Sequence, residues 1–252
     1  MPNPSNNNLN KNSSNYQPLT PISFLERAAD VFPNHTAIIH GSLKQTYSDF
    51  YLRSKKLASA LIKKNISRGN TVSTLLLNTP AMLEAHYGIP MCGAVIHAIN
   101  TRIEASAIAF QLDHTDSKIL IFDKELSSLV NEALSLVKSL PILIQYNDTQ
   151  CDYSDSNASV NHEVIDYENF LETGDDDFQW LMPEDEWDAI SVGYTSGTTG
   201  NPKGVVSHHR GAYLLAQGNA LVASMEKHSV YLWTLPMFHC NGWCFPWTMS
   251  TI

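Results

Sequence analysis

Between Thr71 and Gln145, short runs of apolar and β-branched residues alternate with longer segments of helical period, and few folds accommodate that rhythm. Each strand-like run is separated from the next by a helix-length crossover, which predicts parallel strands in an α/β sheet. Strands are expected at Thr71–Leu77, Ala94–Ala98, Lys118–Phe122 and Ile142–Gln145. The helices between them are expected at Thr79–Tyr87, Glu104–His114 and Glu125–Ser139. Upstream, Thr20 and Pro21 are placed to cap and open a helix through Val31, with Ser23 and Glu26 at capping-box spacing. A short strand, Ala37–His40, follows, and then a helix capped by Ser48 or Asp49 with an apolar stripe of Leu52, Leu57, Leu61 and Ile62. Arg68-Gly69-Asn70 closes that helix. The expected product is a doubly wound, largely parallel sheet flanked by helices.

The 252 residues are 43% apolar and 16% charged, enough to build a sizeable core and too apolar for a disordered chain. The exception is the Asn/Ser-rich start, where 1–19 reads as a disordered polar arm with neither a secretory h-region nor an Arg-rich transit pattern. Composition shifts again to Asp, Ser, Asn and Thr from Asn147 to Asn161, predicting a surface loop near 147–163. A net charge of −9 provides no global field for nucleic acid or an anionic membrane, so any phosphate ligand needs a local site. The four cysteines, Cys92, Cys151, Cys240 and Cys244, form no dense framework and suit a reducing, cytoplasmic compartment. From His228 to Ile252 no Asp, Glu, Lys or Arg occurs, yet Pro236, His239, Asn241, Gly242 and Pro246 interrupt the run. Lipid would leave those groups without partners, so a buried strand plus helix is expected there and no stable membrane insertion.

The segment 194–205 reads YTSGTTGNPKGV, between an expected strand at Ala189–Tyr194 and a second at Gly204–Ser207, with a helix from His209 to about Met225. Gly197 and Gly200 let backbone N–H groups turn toward an anion. Thr195, Ser196, Thr198 and Thr199 add hydroxyl donors, and Lys203 supplies a compact positive charge. A plain hairpin turn needs far less than four hydroxyls and a lysine. A Walker A loop shares the Gly-to-Lys spacing, but Pro202 stands where its second glycine would be and Gly204 where its metal-binding hydroxyl would be. A strand, moreover, is expected after Lys203 in place of a helix N-terminus.

This string resembles the phosphate-loop signature of the adenylate-forming (AMP-binding) superfamily, which includes acyl-CoA and aryl-CoA ligases, luciferases and amino-acid-adenylating domains. TLPMFHCNGWCFPW, Thr234 to Trp247, is similar to the family's second signature, and FHCNGW looks most like the short- and medium-chain acyl-CoA ligases, including methylmercaptopropionate-CoA ligases. The resemblance runs from Pro21 to the end of the chain. It implies that 20–252 is part of a large N-terminal domain. It also implies ATP-dependent activation of a carboxylic acid, fatty acids foremost, to an acyl-adenylate, with pyrophosphate leaving alongside Mg²⁺ and coenzyme A then displacing AMP. Carried onto matching positions, Thr195, Ser196, Gly197, Thr198, Thr199, Gly200 and Lys203 would cradle the β- and γ-phosphates, with Lys203 also counted as catalytic. His239 would orient the carboxylate or gate the acyl pocket, and Trp243 would wall that pocket. The competing reading of His239 is a core histidine held by one backbone partner, and Met237 and Phe238 read as core.

Three other patterns are set aside. His239, Cys240 and Cys244 offer only three ligands, short of a closed zinc site, and no metal-ligating residues are assigned. Thr173-Gly174-Asp175 repeats the family's ribose-binding string but precedes the phosphate loop, so an acidic turn explains it better. Tyr87-Gly88 lacks the Thr-Glu that follows in the family's adenine motif. The family's later adenine, ribose and lysine elements and its C-terminal domain are absent from these residues. The expectation is therefore a fragment not competent by itself, its end presenting Trp243, Cys244, Phe245, Trp247, Met249 and Ile252 as an apolar surface almost all round, sticky unless covered. A non-catalytic remnant, or a module binding nucleotide or pyrophosphate, is the alternative. Oligomeric state is not legible, and a peroxisomal address would lie outside these residues.

Overall fold

A computed structural model describes residues 10–150, 159–195 and 202–252. Its elements are α1 (Ile22–Val31), β1 (Thr36–His40), β2 (Leu43–Thr46), α2 (Tyr47–Lys63), β3 (Thr71–Leu75), α3 (Pro80–Met91), β4 (Val95–Ala98), α4 (Ala105–His114) and β5 (Ile119–Asp123). After these come α5 (Ser127–Leu134), β6 (Ile142–Tyr146), β7 (Ile165–Asp166), α6 (Tyr167–Glu172), β8 (Ala189–Thr195), β9 (Lys203–His208) and α7 (His209–Val222). The main sheet has the order β7-β6-β5-β3-β4-β8-β9, parallel throughout except where β9 runs antiparallel to β8. Every residue of β4 and β5 is buried, as expected for strands covered on both faces. One face packs Leu75, Leu120, Phe122 and Leu143 against Ile108 and Leu112 of α4 and Val130 of α5. The other face packs Val72, Ile96 and Ile121 against α1, α2, α3, α6 and α7. The mixed α/β fold with a mainly parallel, doubly wound sheet is therefore as read.

Several boundaries move for identifiable reasons. β1 stays out of the main sheet and pairs with β2 across a two-residue turn whose Gly41 sits at φ +58°. The cap of α2 is Thr46, not Ser48 or Asp49; its hydroxyl accepts from Asp49 N–H while the Asp49 carboxylate accepts from Thr46 N–H, a reciprocal capping box. At α1 the Thr20 hydroxyl accepts from Ile22 N–H at 3.3 Å, while Ser23 donates to the Thr20 carbonyl and makes no capping box with Glu26. The helix expected to reach Ser139 stops at Leu134, because Lys138 N–H goes to the Asp113 carboxylate and is lost to any helical ladder. The polar arm is not free of the body in its described part: residues 12–16 make a turn, and Leu19 N–H donates to Glu186.

α3 runs on past Tyr87 to Met91 although Pro90 lies inside it, and all twelve of its residues are buried. A proline has no N–H for the carbonyl four residues back. That carbonyl belongs to His86, and it accepts instead from the Trp247 indole N–H at 3.0 Å. Trp247 belongs to the short helix Phe245–Thr248 and is fully buried, so the apolar end of the chain is folded against α3 and is not sticky all round as composition suggests. No strand forms between 228 and 239, and no helix among the described residues is long and apolar enough to cross a membrane.

Glu84, also on α3, is fully buried and is matched rather than neutralised. Arg53 of α2 donates to both its oxygens (2.6 and 3.3 Å), Tyr167 of α6 donates at 2.7 Å, and Arg53 reaches on to Glu168. Burial pushes the Glu84 carboxyl up, against the pull of Arg53 and Tyr167.

Trp247→Phe is expected to lower the unfolding free energy by about 2–4 kcal/mol, through lost volume plus an unpaired buried carbonyl, as read from urea midpoints. Burial holds His86, His97 and His209 at about 4, below the ordinary histidine value, so the unfolded chain binds more protons than the folded one between those limits. Stability is therefore expected to be full above about pH 6.5 and to fall as pH drops toward 4, by up to about 1.4 kcal/mol per pH unit for each histidine. Glu84 offsets this over the acid part of the window, since its raised carboxyl stabilises the fold when protonated. Urea titrations at a series of pH values measure the net slope.

Candidate functional site

β8 carries the signature string to the edge of the sheet. Its residues alternate in direction, so Ser191, Gly193 and Thr195 share one face while Val192 and Tyr194 take the other. On the second face the Tyr194 ring lies 5.2 Å from His97 of β4, and its hydroxyl meets His114 Nδ1 at the end of α4. Burial raises the Tyr194 hydroxyl above its ordinary range, so it stays protonated. His97 is itself fixed by Ser73, which donates to Nδ1 at 2.8 Å, and by Gln111, which accepts from Nε2 at 3.2 Å.

β9 returns antiparallel, with Thr195 opposite Lys203 and Tyr194 opposite Gly204. The hairpin thus brings together the two ends of the expected phosphate loop, both exposed. Ser196, Gly197, Thr198, Thr199 and Gly200 lie outside the described residues. Lys203 opens a strand, with α7 beginning only at His209, so the helix N-terminus that defines a Walker loop does not stand behind this lysine.

The second signature segment is held by two asparagines. Asn78, just past β3, donates to the Leu235 carbonyl at 3.0 Å and accepts from Met237 N–H at 2.9 Å. Asn241 donates to Ser191 Oγ at 2.8 Å, on the face of β8 that Thr195 shares. Met237 is buried as expected, whereas Phe238 is only partly covered. Phe238 lines a cavity of about 230 Å³ with Leu77, Asn78, Thr101, Arg102 and Thr234. That cavity lies at the carboxyl ends of β3 and β4, the end of the sheet outside which open α/β folds take ligands.

His239 is exposed, so the core-histidine reading fails. Its ring lies 6.2 Å from that of Trp243, edge to face, and Trp243 is half exposed. The structure therefore brings the two expected pocket residues side by side. His239 precedes, and Trp243 lies within, an unusual backbone: Cys240, Asn241, Gly242, Trp243 and Cys244 all have φ between +49° and +65°. Left-handed helix costs roughly 1–2 kcal/mol per residue other than glycine. The turn is closed by Gly242 N–H to the His239 carbonyl and Cys244 N–H to the Asn241 carbonyl. Asn219 of α7 donates to the Trp243 carbonyl at 2.8 Å and to Thr248 Oγ1 at 3.2 Å. A Cβ on Gly242 would lie 3.0 Å from the Trp233 ring, so close approach as well as φ demands glycine there.

The patterns set aside have ordinary explanations. Gly174 packs on the Lys56 backbone and Asp175 is bound by Lys63 and Ser59, which accounts for Thr173-Gly174-Asp175 as a turn. Tyr87 is buried, its hydroxyl donating to the Pro246 carbonyl. Burial pushes the Cys244 thiol up to about 12, while Cys240 is exposed. Among the described residues no group of three or more His, Cys, Asp or Glu is arranged to hold a metal. Asn78, Arg102, Ser191 and Asn219 were not singled out from sequence. Asn78 stands in a Leu-Asn-Thr-Pro turn that signals a strand end, but nothing in the sequence marks Asn219.

Residues 25–252 match the family model described as AMP-binding enzyme. The chain is 47% identical over 251 residues to the peroxisomal acetate/butyrate–CoA ligase of Arabidopsis thaliana, covering 97% of this chain and 44% of that protein. It is also 47% identical over 249 residues to an acetate–CoA ligase of Humulus lupulus, covering 96% and 44%. The chain thus spans under half the length of these relatives. Among solved structures, an anthranilate CoA ligase in complex with anthranoyl-AMP superimposes with TM-score 0.77 at 19% identity, covering 95% of this chain and 45% of that one. A long-chain-fatty-acid–CoA ligase from Archaeoglobus fulgidus gives 0.76 at 21%, covering 94% and 46%. These two likenesses speak to the fold. The family match over nearly the whole chain places it in the AMP-binding enzyme family.

Proposed function

We propose that the whole protein activates a short carboxylic acid with ATP and transfers the acyl group to coenzyme A. The observation that carries this reading is the β8–β9 hairpin, which sets Thr195 against Lys203 at either end of the signature loop. In the first half-reaction a carboxylate oxygen attacks the α-phosphorus, the bond to the bridging oxygen breaks, and pyrophosphate leaves. Charge gathers on the departing phosphates. Thr195, Ser196, Gly197, Thr198, Thr199, Gly200 and Lys203 are assigned to meet it with hydroxyl, backbone and ammonium donors. Mg²⁺ is assigned to the nucleotide phosphates. In the second half-reaction the thiol sulfur attacks the acyl carbon and AMP leaves. The cavity beside Asn78 and Arg102 suits the acidic co-substrate, because Arg102 is exposed and has no ion-pair partner among the described residues.

Small acids are favoured because the related proteins are named for acetate, butyrate and 2-methylpropanoate. Trp243 is assigned to the wall of the acid site and His239 to the orientation of the carboxylate. Since the chain spans 44% of those relatives, the complete cycle is assigned to the whole protein, and the 252 residues alone are expected to bind nucleotide phosphates without turnover. A peroxisomal setting fits the names of two Arabidopsis relatives.

In the whole protein, carboxylate-dependent exchange of labelled pyrophosphate into ATP is expected with acids of two to four carbons. An exchange rate equal to the acid-free background across the panel would remove the function. Lys203→Ala is expected to slow that exchange by about 10²–10³-fold with the urea midpoint unchanged, the magnitude typical of one lost transition-state donor. His239→Ala is expected to reduce adenylation more than nucleotide binding, and unaltered adenylation would strip His239 of its role.

A further inference from the structure

The left-handed turn at 240–244 persists against its own backbone preference, so something must hold it wound. Its internal hydrogen bonds stabilise a tight turn without choosing its hand. Two side chains from outside the turn do choose. Asn241 is held at Ser191 on β8 (2.8 Å), and the Trp243 carbonyl is held by Asn219 on α7 (2.8 Å). Asn219 also reaches Thr248 Oγ1, so one amide joins α7, the far end of the turn and the short helix that follows. Trp247 in that helix is fixed on α3, which leaves the turn clamped at both ends. Exposed beside this clamped turn are His239, which precedes it, and Trp243, half exposed within it.

We propose that Asn219 is a positioning residue that sets acid selectivity: through the Trp243 carbonyl it keeps the 240–244 turn left-handed and so fixes where Trp243 and His239 stand. A carbonyl released from Asn219 lets residues 243 and 244 relax toward negative φ, which turns the Trp243 indole away from His239. The acid site then widens and loses its preference for small acids, while the loop on the β8–β9 hairpin, which Asn219 does not touch, keeps its affinity for ATP. The selectivity half of this inference rests on the proposed ligase activity; the clamp itself does not.

The test uses Asn219→Asp, which keeps the side-chain shape and removes the donor, Asn219→Ala as a second variant, and Asn219→Gln, which restores a donor amide. Fluorotryptophan is incorporated into the protein and the Trp243 ¹⁹F resonance is assigned with Trp243→Phe. In the Asp and Ala variants the Trp243 signal is expected to shift or broaden while that of Trp247 stays in place, and Gln is expected to recover part of the native signal. In the whole protein the same two variants are expected to raise KM for acetate about tenfold, the equivalent of one lost hydrogen bond, with KM for ATP within about twofold of the parent. An unmoved Trp243 signal in both variants, or a moved signal with the ratio of acetate to longer-acid kcat/KM unchanged, overturns the inference. Absence of carboxylate-dependent pyrophosphate exchange in the parent protein is a separate result: it overturns the function and, with it, the selectivity claim, whatever the Trp243 signal does.

Discussion

The constraint on which the rest of the structure depends is that α3 has no solvent face. Its twelve residues are all buried, yet it carries a carboxylate, an imidazole, a phenol and a proline-freed carbonyl. Water reaches none of these, and three of the four draw on elements outside the helix. Arg53 from α2 and Tyr167 from α6 take Glu84, the backbone of α3 itself takes His86 Nδ1, and the end of the chain takes the Tyr87 hydroxyl and the His86 carbonyl. Polar satisfaction thus acts as a template. It fixes where α2, α6 and the segment after Phe245 must lie, where apolar packing alone would tolerate sliding.

That template reaches the candidate site by a short route. The segment docked on α3 through Trp247 is continuous with the left-handed turn, and the turn is tied to β8 four residues before Thr195. At about 3.3 Å per residue, the Asn241 anchor lies some 13 Å along the strand from the start of the phosphate loop. The two signature strings, whose starts lie 40 positions apart in sequence, therefore share one strand as their common support. A substrate bridging them would be held by parts of one rigid body, which favours a fixed angle between acid and nucleotide over independent binding.

The βα rhythm was legible because fully buried parallel strands and amphipathic crossovers leave strong period signals, and the hairpin strands around YTSGTTGNPKGV were placed within one residue. The failures have a common origin. The β1–β2 hairpin, the cap at Thr46 and the early end of α5 at Leu134 were each decided by one side chain or one short pairing, against which a window of apolar periodicity is blind. The end of the chain was misread for a deeper reason. Its charge-free composition resembles an unpartnered apolar face, and only the missing N–H of Pro90, more than 150 residues upstream, reveals that an indole is required there. In the site itself, His239 and Trp243 were legible as a pair. Asn219 was not, because its role depends on a carbonyl, and carbonyls carry no sequence identity.

The same reasoning explains why a strained turn survives beside the core. Left-handed backbone is unfavourable residue by residue, so a turn of five would unwind if either end were free. Here the outlay is met by contacts formed for other purposes: the Trp247 indole must satisfy α3, and Gly242 must admit the Trp233 ring at close range. Because those contacts are stiff, the turn has little room to adjust to what binds it. A chain that needed to accept many acids would place such side chains on a pliable loop, whereas this one sets an indole and an imidazole on a backbone that resists movement. For the proposed acid site, that rigidity favours a narrow set of acids fixed by shape.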